Sequence, residues 1–242
     1  MRLLTFTAGT SPAPRIGVRV GHRVLDIEAA SRVDGEPLPG TMKALLKEGR
    51  GALSRVQALA KAAKGNAGRF SGAMHEERAI RILAPIADAE PFMCVEGERK
   101  KDAPRGPQLV MVIGRRAAGV EPEDAMDYVL GVTLLNNLGN AAGGVPFGPE
   151  IVTMDEVPHP EDLWLTCSVN GKERIRGNTR EELAKLPRAL ARRSQVTPLE
   201  PGDLFAVAIA RPGAESLALK PGDVVECAIE GVATLRSTVE PQ

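Results

Sequence analysis

Aromatic residues are scarce in this chain of 242 residues, which has one Trp, one Tyr and five Phe. Interfaces built on aromatic anchors need more of them, so no protein partner is legible from such a hot spot. Net charge is absent as well, because 31 Lys and Arg balance 31 Asp and Glu. Without a field of one sign, the chain is expected to have neither a nucleic-acid nor a membrane partner. No apolar run approaches the ~20 residues that span a bilayer. The opening MRLLTFTAGTSPAPRIG interrupts its short apolar patch with Thr, Gly and Pro, so no secretory signal is expected and the compartment expected is the cytoplasm. The three cysteines, Cys94, Cys167 and Cys227, are odd in number and far apart, each in an apolar, strand-like setting. They are expected to be reduced core residues. The three histidines, His22, His75 and His159, lack metal-ligand spacing and are expected at the surface.

What is present is an ordinary globular composition, 43% apolar, long enough for one large domain with a smaller companion. RIGVRVGHRVLDI alternates apolar and polar residues at period two, with Gly21-His22 as a tight turn between strands. TMKALLKEGRGALSRVQALAKAAKG has helical spacing, with Thr41 as N-cap and breaks at Gly49 and Gly51. These elements define a small N-terminal α/β domain over residues 1–79. Residues 80–242 then supply strands RILAP, PFMCVEG, QLVMVIG, YVLGVTLLNN, EIVTM, LWLTCSVNG, LFAVAIA, VVECAIEG and ATLRSTV. Only two helices are expected among them: EPEDAMDY, and TREELAKLPRALARRS, capped by Asn178 or Thr179 and kinked or ended by Pro187. Many strands with few helices, out of strict alternation, predict an α+β, β-rich fold and exclude a doubly wound parallel sheet.

The order of three stretches carries more. QLVMVIGRRAAGVEPEDAMDYVLGVTLLNN is followed by PFGPEIVTMDEVPHPEDLWLTCSVNGKERIRGNT, and then by LEPGDL and LKPGDVVECAIEGVATLRSTV. This succession resembles the catalytic domain of the fumarylacetoacetate hydrolase superfamily, and RLLTF with RIGVRVGHRVLDI resembles the leading domain many of its members carry. The resemblance implies a mixed-β roll or pseudo-barrel, usually dimeric, in which Mg²⁺ or Mn²⁺ binds the oxygens of a 2-oxo or 1,3-dioxo acid. Cleavage, decarboxylation, hydration or tautomerisation of such acids follows from a cation that holds enolate charge beside a base.

Against that pattern the chain departs at each working part. Two glutamates expected before Val-Ile-Gly are replaced by Gly106 and Gln108, and an aspartate after an asparagine is replaced by Asn137. Amide oxygens bring no charge to offset dehydration of a hard cation, so no metal cofactor is expected. The His-Glu pair of carbon–carbon hydrolases falls in ERKKDAPRGP, where Asp102 is the candidate base and a solvated charged turn the plainer reading. The lid segment is about ten residues instead of several tens, and AAGGV replaces a stretch with Arg, Lys and Asp. A Thr-Pro motif has become IARPG, with Ile209 or Arg211 at the threonine, whereas Gly177–Thr179 (GNT) survives.

The expectation is therefore a degenerate member without metal chemistry, a binding or structural subunit pairing with itself or with an active relative. The alternative is a repurposed metal-independent enzyme acting on a small oxo-acid. In that reading Asp102 carries the proton, Arg105, Arg115, Arg116 or Arg211 clamps a carboxylate, and Gln108, Asn137, Asn140 and Thr179 contact the ligand. A third placement puts ligands in DEVPHPED, at Asp155, Glu156, His159, Glu161 and Asp162.

Overall fold

Residues 1–87, 89, 93–94, 106–137, 147–157, 159–208 and 219–240 are described by a computed structural model. The N-terminal elements are β1 (Arg2–Ala8), β2 (Arg15–Val20), β3 (Arg23–Asp26), α1 (Ile27–Asp34), α2 (Met42–Glu48), α3 (Arg50–Gly65), β4 (Met74–Glu76) and β5 (Ile80–Leu83). Gly21, at φ 62°, closes the expected turn between β2 and β3. Helix α1 was not expected; Asp26 caps it by accepting from the Ala29 amide at 2.9 Å, and Gly35 ends it at φ 91°. Thr41 caps α2 as expected. The break before α3 falls at Gly49 alone, at φ 77°, while Gly51 lies inside α3.

The rest of the chain forms β6 (Met93–Cys94), β7 (Gly106–Ile113), β8 (Val129–Asn137), β9 (Phe147–Thr153), β10 (Trp164–Val169), β11 (Lys172–Asn178), α4 (Arg180–Leu183), α5 (Leu186–Val196), β12 (Leu204–Ala208), β13 (Val224–Ile229) and β14 (Ala233–Thr238). EPEDAMDY yields only a 3₁₀ turn over Ala125–Tyr128. The expected long helix divides into α4 and α5, with Pro187 in the first turn of α5, where its missing N–H is harmless.

This is a mixed α+β, strand-rich architecture of two sheets. The larger runs β4-β3-β2-β1-β9-β8-β7-β12-β6, with β5 also on β1; the smaller runs β11-β10-β13-β14. The expected pseudo-barrel takes the form of two open sheets, since among the described residues neither closes on itself. Strands β4 and β5, on either side of residue 79, both belong to the larger sheet.

Strand β7 is covered on both faces. Leu109, Met111 and Ile113 enter the core between the sheets, while Val110 and Val112 enter a second core shared with α1, α2 and α3. All five are fully buried, which is why the sequence here reads as an unbroken apolar run.

β1 is stitched to β9 by Arg2↔Val152 and Leu3↔Ile151. Beside this seam lies Glu150, 4% exposed, which accepts from Arg2 Nη1 at 2.7 Å and Arg19 Nε at 2.9 Å. Burial opposes the charge on Arg19, but its bonds to Glu77 and Glu150 hold its pKa above the ordinary arginine value. Glu150→Ala should leave the half-buried guanidinium groups of Arg2 and Arg19 with only their outer partners Glu156 and Glu77, and lower stability by about 2 kcal/mol. An unchanged urea midpoint would show the network to be dispensable.

Candidate functional site

Five strand ends meet at one end of the larger sheet. Cys94 of β6 is level with Ala206, Ala208 of β12 with Gln108, Gly106 of β7 with Asn137 of β8, and Leu135 with Phe147 of β9. The segments 95–105, 138–146 and 209–218 all depart from this end. Asp102, Arg105, Asn140, Ile209 and Arg211 fall in those segments, outside the described residues.

Register places positions 106, 108 and 137 on one face, so the three positions singled out for metal ligands do come together. It is the face of Val110 and Leu135, on the side of the helices. Gln108 is buried at 3% exposure. One pleat further in, opposite Val110, the fully buried Thr133 points a hydroxyl with no hydrogen-bond partner. On the opposite face Asn136 is fully buried, with Nδ2 3.5 Å from Ser237 Oγ and Oδ1 without a partner. Neither Thr133 nor Asn136 stood out in the sequence; the only signal was a polar residue inside an otherwise apolar strand.

Thr179 is held elsewhere. It is fully buried, and its hydroxyl donates to Leu163 O at 3.1 Å while accepting from Leu163 N at 3.2 Å. Leu163 packs in the core on the far face of the larger sheet, so this structure does not bring Thr179 to the face of Gln108. Asn178, not Thr179, caps α4 through its side chain, accepting from the Arg180 amide at 2.7 Å.

Arg115 and Arg116 follow the opposite end of β7, roughly 25 Å from Gly106 at the rise of an extended strand. Arg115 stacks on Tyr128, 4.0 Å from the ring centroid, and Arg116 pairs with Glu200 at 3.1 Å. They are committed to surface contacts away from the candidate site.

The DEVPHPED acids disperse likewise. Glu156 pairs with Arg2 at 3.5 Å, and His159 with Glu161 at 3.5 Å in an exposed turn. Asp162 binds Asn178 and Arg180, bonds that hold its carboxyl below the ordinary aspartate value. Among the described residues no three His, Cys, Asp or Glu gather as a metal site. His22 and His159 are exposed as expected, whereas His75 is half-buried with its ring 5.3 Å from that of Phe6, and desolvation holds its imidazole below the ordinary value.

Residues 138–240 match the family model for the fumarylacetoacetate hydrolase C-terminal region. An uncharacterized protein of Pyrococcus abyssi is 32% identical over 206 residues, spanning 77% of this chain and 90% of that protein. The chain belongs to the fumarylacetoacetate hydrolase family. The mitochondrial oxaloacetate tautomerase fahd2 of Xenopus laevis is 26% identical over 300 residues, spanning 99% of this chain and 90% of that protein. Those 300 aligned positions against 242 residues leave at least 58 at which this family member has no residue. The crystal structure of maleylpyruvate hydrolase from Sphingobium sp. SYK-6, in complex with manganese and pyruvate, superposes with a TM-score of 0.72 at 23% identity and full coverage of both chains. That likeness establishes the shared fold.

The donor set at positions 106, 108 and 137 does not suit a divalent ion. Glycine offers no side-chain donor, and glutamine and asparagine offer neutral oxygens at most, whereas a hard cation surrenders its water chiefly to carboxylates. Among the described residues no helix is long and apolar enough to cross a membrane.

Proposed function

We propose that this family member binds a small 2-oxo or 1,3-dioxo acid at the β6–β7–β8–β9–β12 end of the larger sheet without a divalent cation, as a binding subunit that pairs with a second copy or with a catalytically complete relative. The observation that carries this reading is the β7–β8 register, which sets position 106 opposite 137 and 108 opposite 135, with Gly, Gln and Asn at the three positions where the family resemblance implies carboxylates. Amide N–H groups can donate to a ligand carboxylate or carbonyl, and Thr133 keeps a buried hydroxyl two positions deeper on that face. In calorimetry with oxaloacetate, binding should be the same with EDTA as with added Mn²⁺. Turnover that EDTA abolishes and Mn²⁺ restores would overturn the proposal.

A second reading is a metal-independent tautomerase, favoured by the alignment of nearly the whole chain with an oxaloacetate tautomerase. Keto–enol exchange breaks no carbon–carbon bond; it requires a base at the carbon acid and hydrogen-bond donors at the enolate oxygen. Gln108 and Asn137 are suited by residue type to donate, and Asp102 to move the proton. On this reading enol formation from oxaloacetate persists in EDTA and falls by about 10²-fold or more in Asp102→Asn. No EDTA-resistant rate above the uncatalysed one would leave the binding reading alone.

A further inference from the structure

Cys167 and Cys227, 60 positions apart in sequence, face each other directly across β10 and β13. Both are fully buried in the core between the two sheets, and neither is in a disulfide. Two backbone bonds fix the type of pair. The Asn170 amide donates to Val224 O at 2.8 Å and the Glu230 amide to Trp164 O at 2.9 Å, so Asn170/Val224 and Trp164/Glu230 are hydrogen-bonded pairs. The register between them is uninterrupted, and hydrogen-bonded and non-hydrogen-bonded pairs alternate along an antiparallel ladder. Cys167/Cys227, three positions from each, is therefore a non-hydrogen-bonded pair, the closer kind, with Cα atoms about 4.5 Å apart. That separation lies within the range a disulfide bridges.

We propose that Cys167 and Cys227 are a redox modification site, which a two-electron oxidant of the azo or disulfide class closes into a reversible cross-strand disulfide within the smaller sheet. Two S–H bonds break and one S–S bond forms. The two protons and two electrons pass to the oxidant, an azo N=N being reduced to the hydrazine or an external disulfide to two thiols. The thiols hydrogen-bond to one another, and this contact, with burial, pushes Cys227 well above the ordinary thiol value. Thiolate is the attacking form, so closure waits on local opening of the smaller sheet and is slow in the resting fold. Once made, the bond ties β10 to β13 within the core that Leu109 and Met111 of β7 also enter, the strand that carries Gly106 and Gln108.

The test uses the reduced full chain incubated with diamide, natively and in urea below the unfolding transition, then unfolded for thiol counting. The count should fall from three to one, peptide mapping should join Cys167 to Cys227, and dithiothreitol should restore all three. In Cys94→Ser the count should fall from two to none. Three surviving thiols under both conditions, or a linkage that runs only through Cys94, would overturn the assignment.

Discussion

Gly106→Glu, Gln108→Glu and Asn137→Asp, combined in one chain, are expected to create a manganese-responsive variant. The three positions share a face at the end of the larger sheet, with 106 directly opposite 137 and 108 one pleat further in. Carboxylates crowded there repel one another in EDTA, so the variant should melt below the parent. Mn²⁺ at a hundred times its dissociation constant would then contribute about 2.7 kcal/mol, a rise of roughly 5–10 °C in Tm for a chain of this size. The parent should not shift. If the parent melts higher with Mn²⁺ by a similar margin, amides suffice and the metal-free reading fails.

Gly131→Ala should have the largest effect on stability of any glycine-to-alanine change in the described chain. A Cβ at 131 would lie 2.2 Å from Val152 O and 2.8 Å from Thr153 Cα, and these are backbone atoms of β9 that no rotamer change can clear. The strands must part, and β9 is also the strand that joins β1. A loss of about 4 kcal/mol or more is expected, the range reached when a core contact is forced open. Gly51→Ala provides the contrast, because its Cβ would meet nothing within 4 Å and its position in α3 is helical. There the same substitution should stabilise by about 1 kcal/mol. Chemical denaturation of the two variants gives shifts of opposite sign, and equal shifts would contradict the steric account.

Why some elements were legible and others not comes down to where each one's partner lies. β7 announces itself because both of its faces are apolar. β11 does not, since Ile175 is its only large apolar residue among Lys172–Asn178. Its signal sat next to it, in Asn170-Gly171 at φ 51° and 77°, the pair of left-handed residues that suits a tight hairpin turn. Helix α1 was hidden because the apolar run of β3 continues through Asp26 into Ile27, and only Asp26 followed by Gly35 marked its ends. At the candidate site, the departures at 106, 108 and 137 were visible by comparison with a family pattern, but their meeting needed the β7–β8 register. Glu150 could not be anticipated at all, because its partners Arg2 and Arg19 are 148 and 131 positions away.

The departure of three connecting segments from a single sheet end has an evolutionary corollary. β7, β8, β9 and β12 are laddered to one another by contacts made inside the sheet, so those connections can be exchanged in length and residue type while the scaffold that carries them stays the same. A lineage built this way can shed one chemistry and acquire another at its periphery, and such turnover would leave the hydrophobic interior almost unmarked.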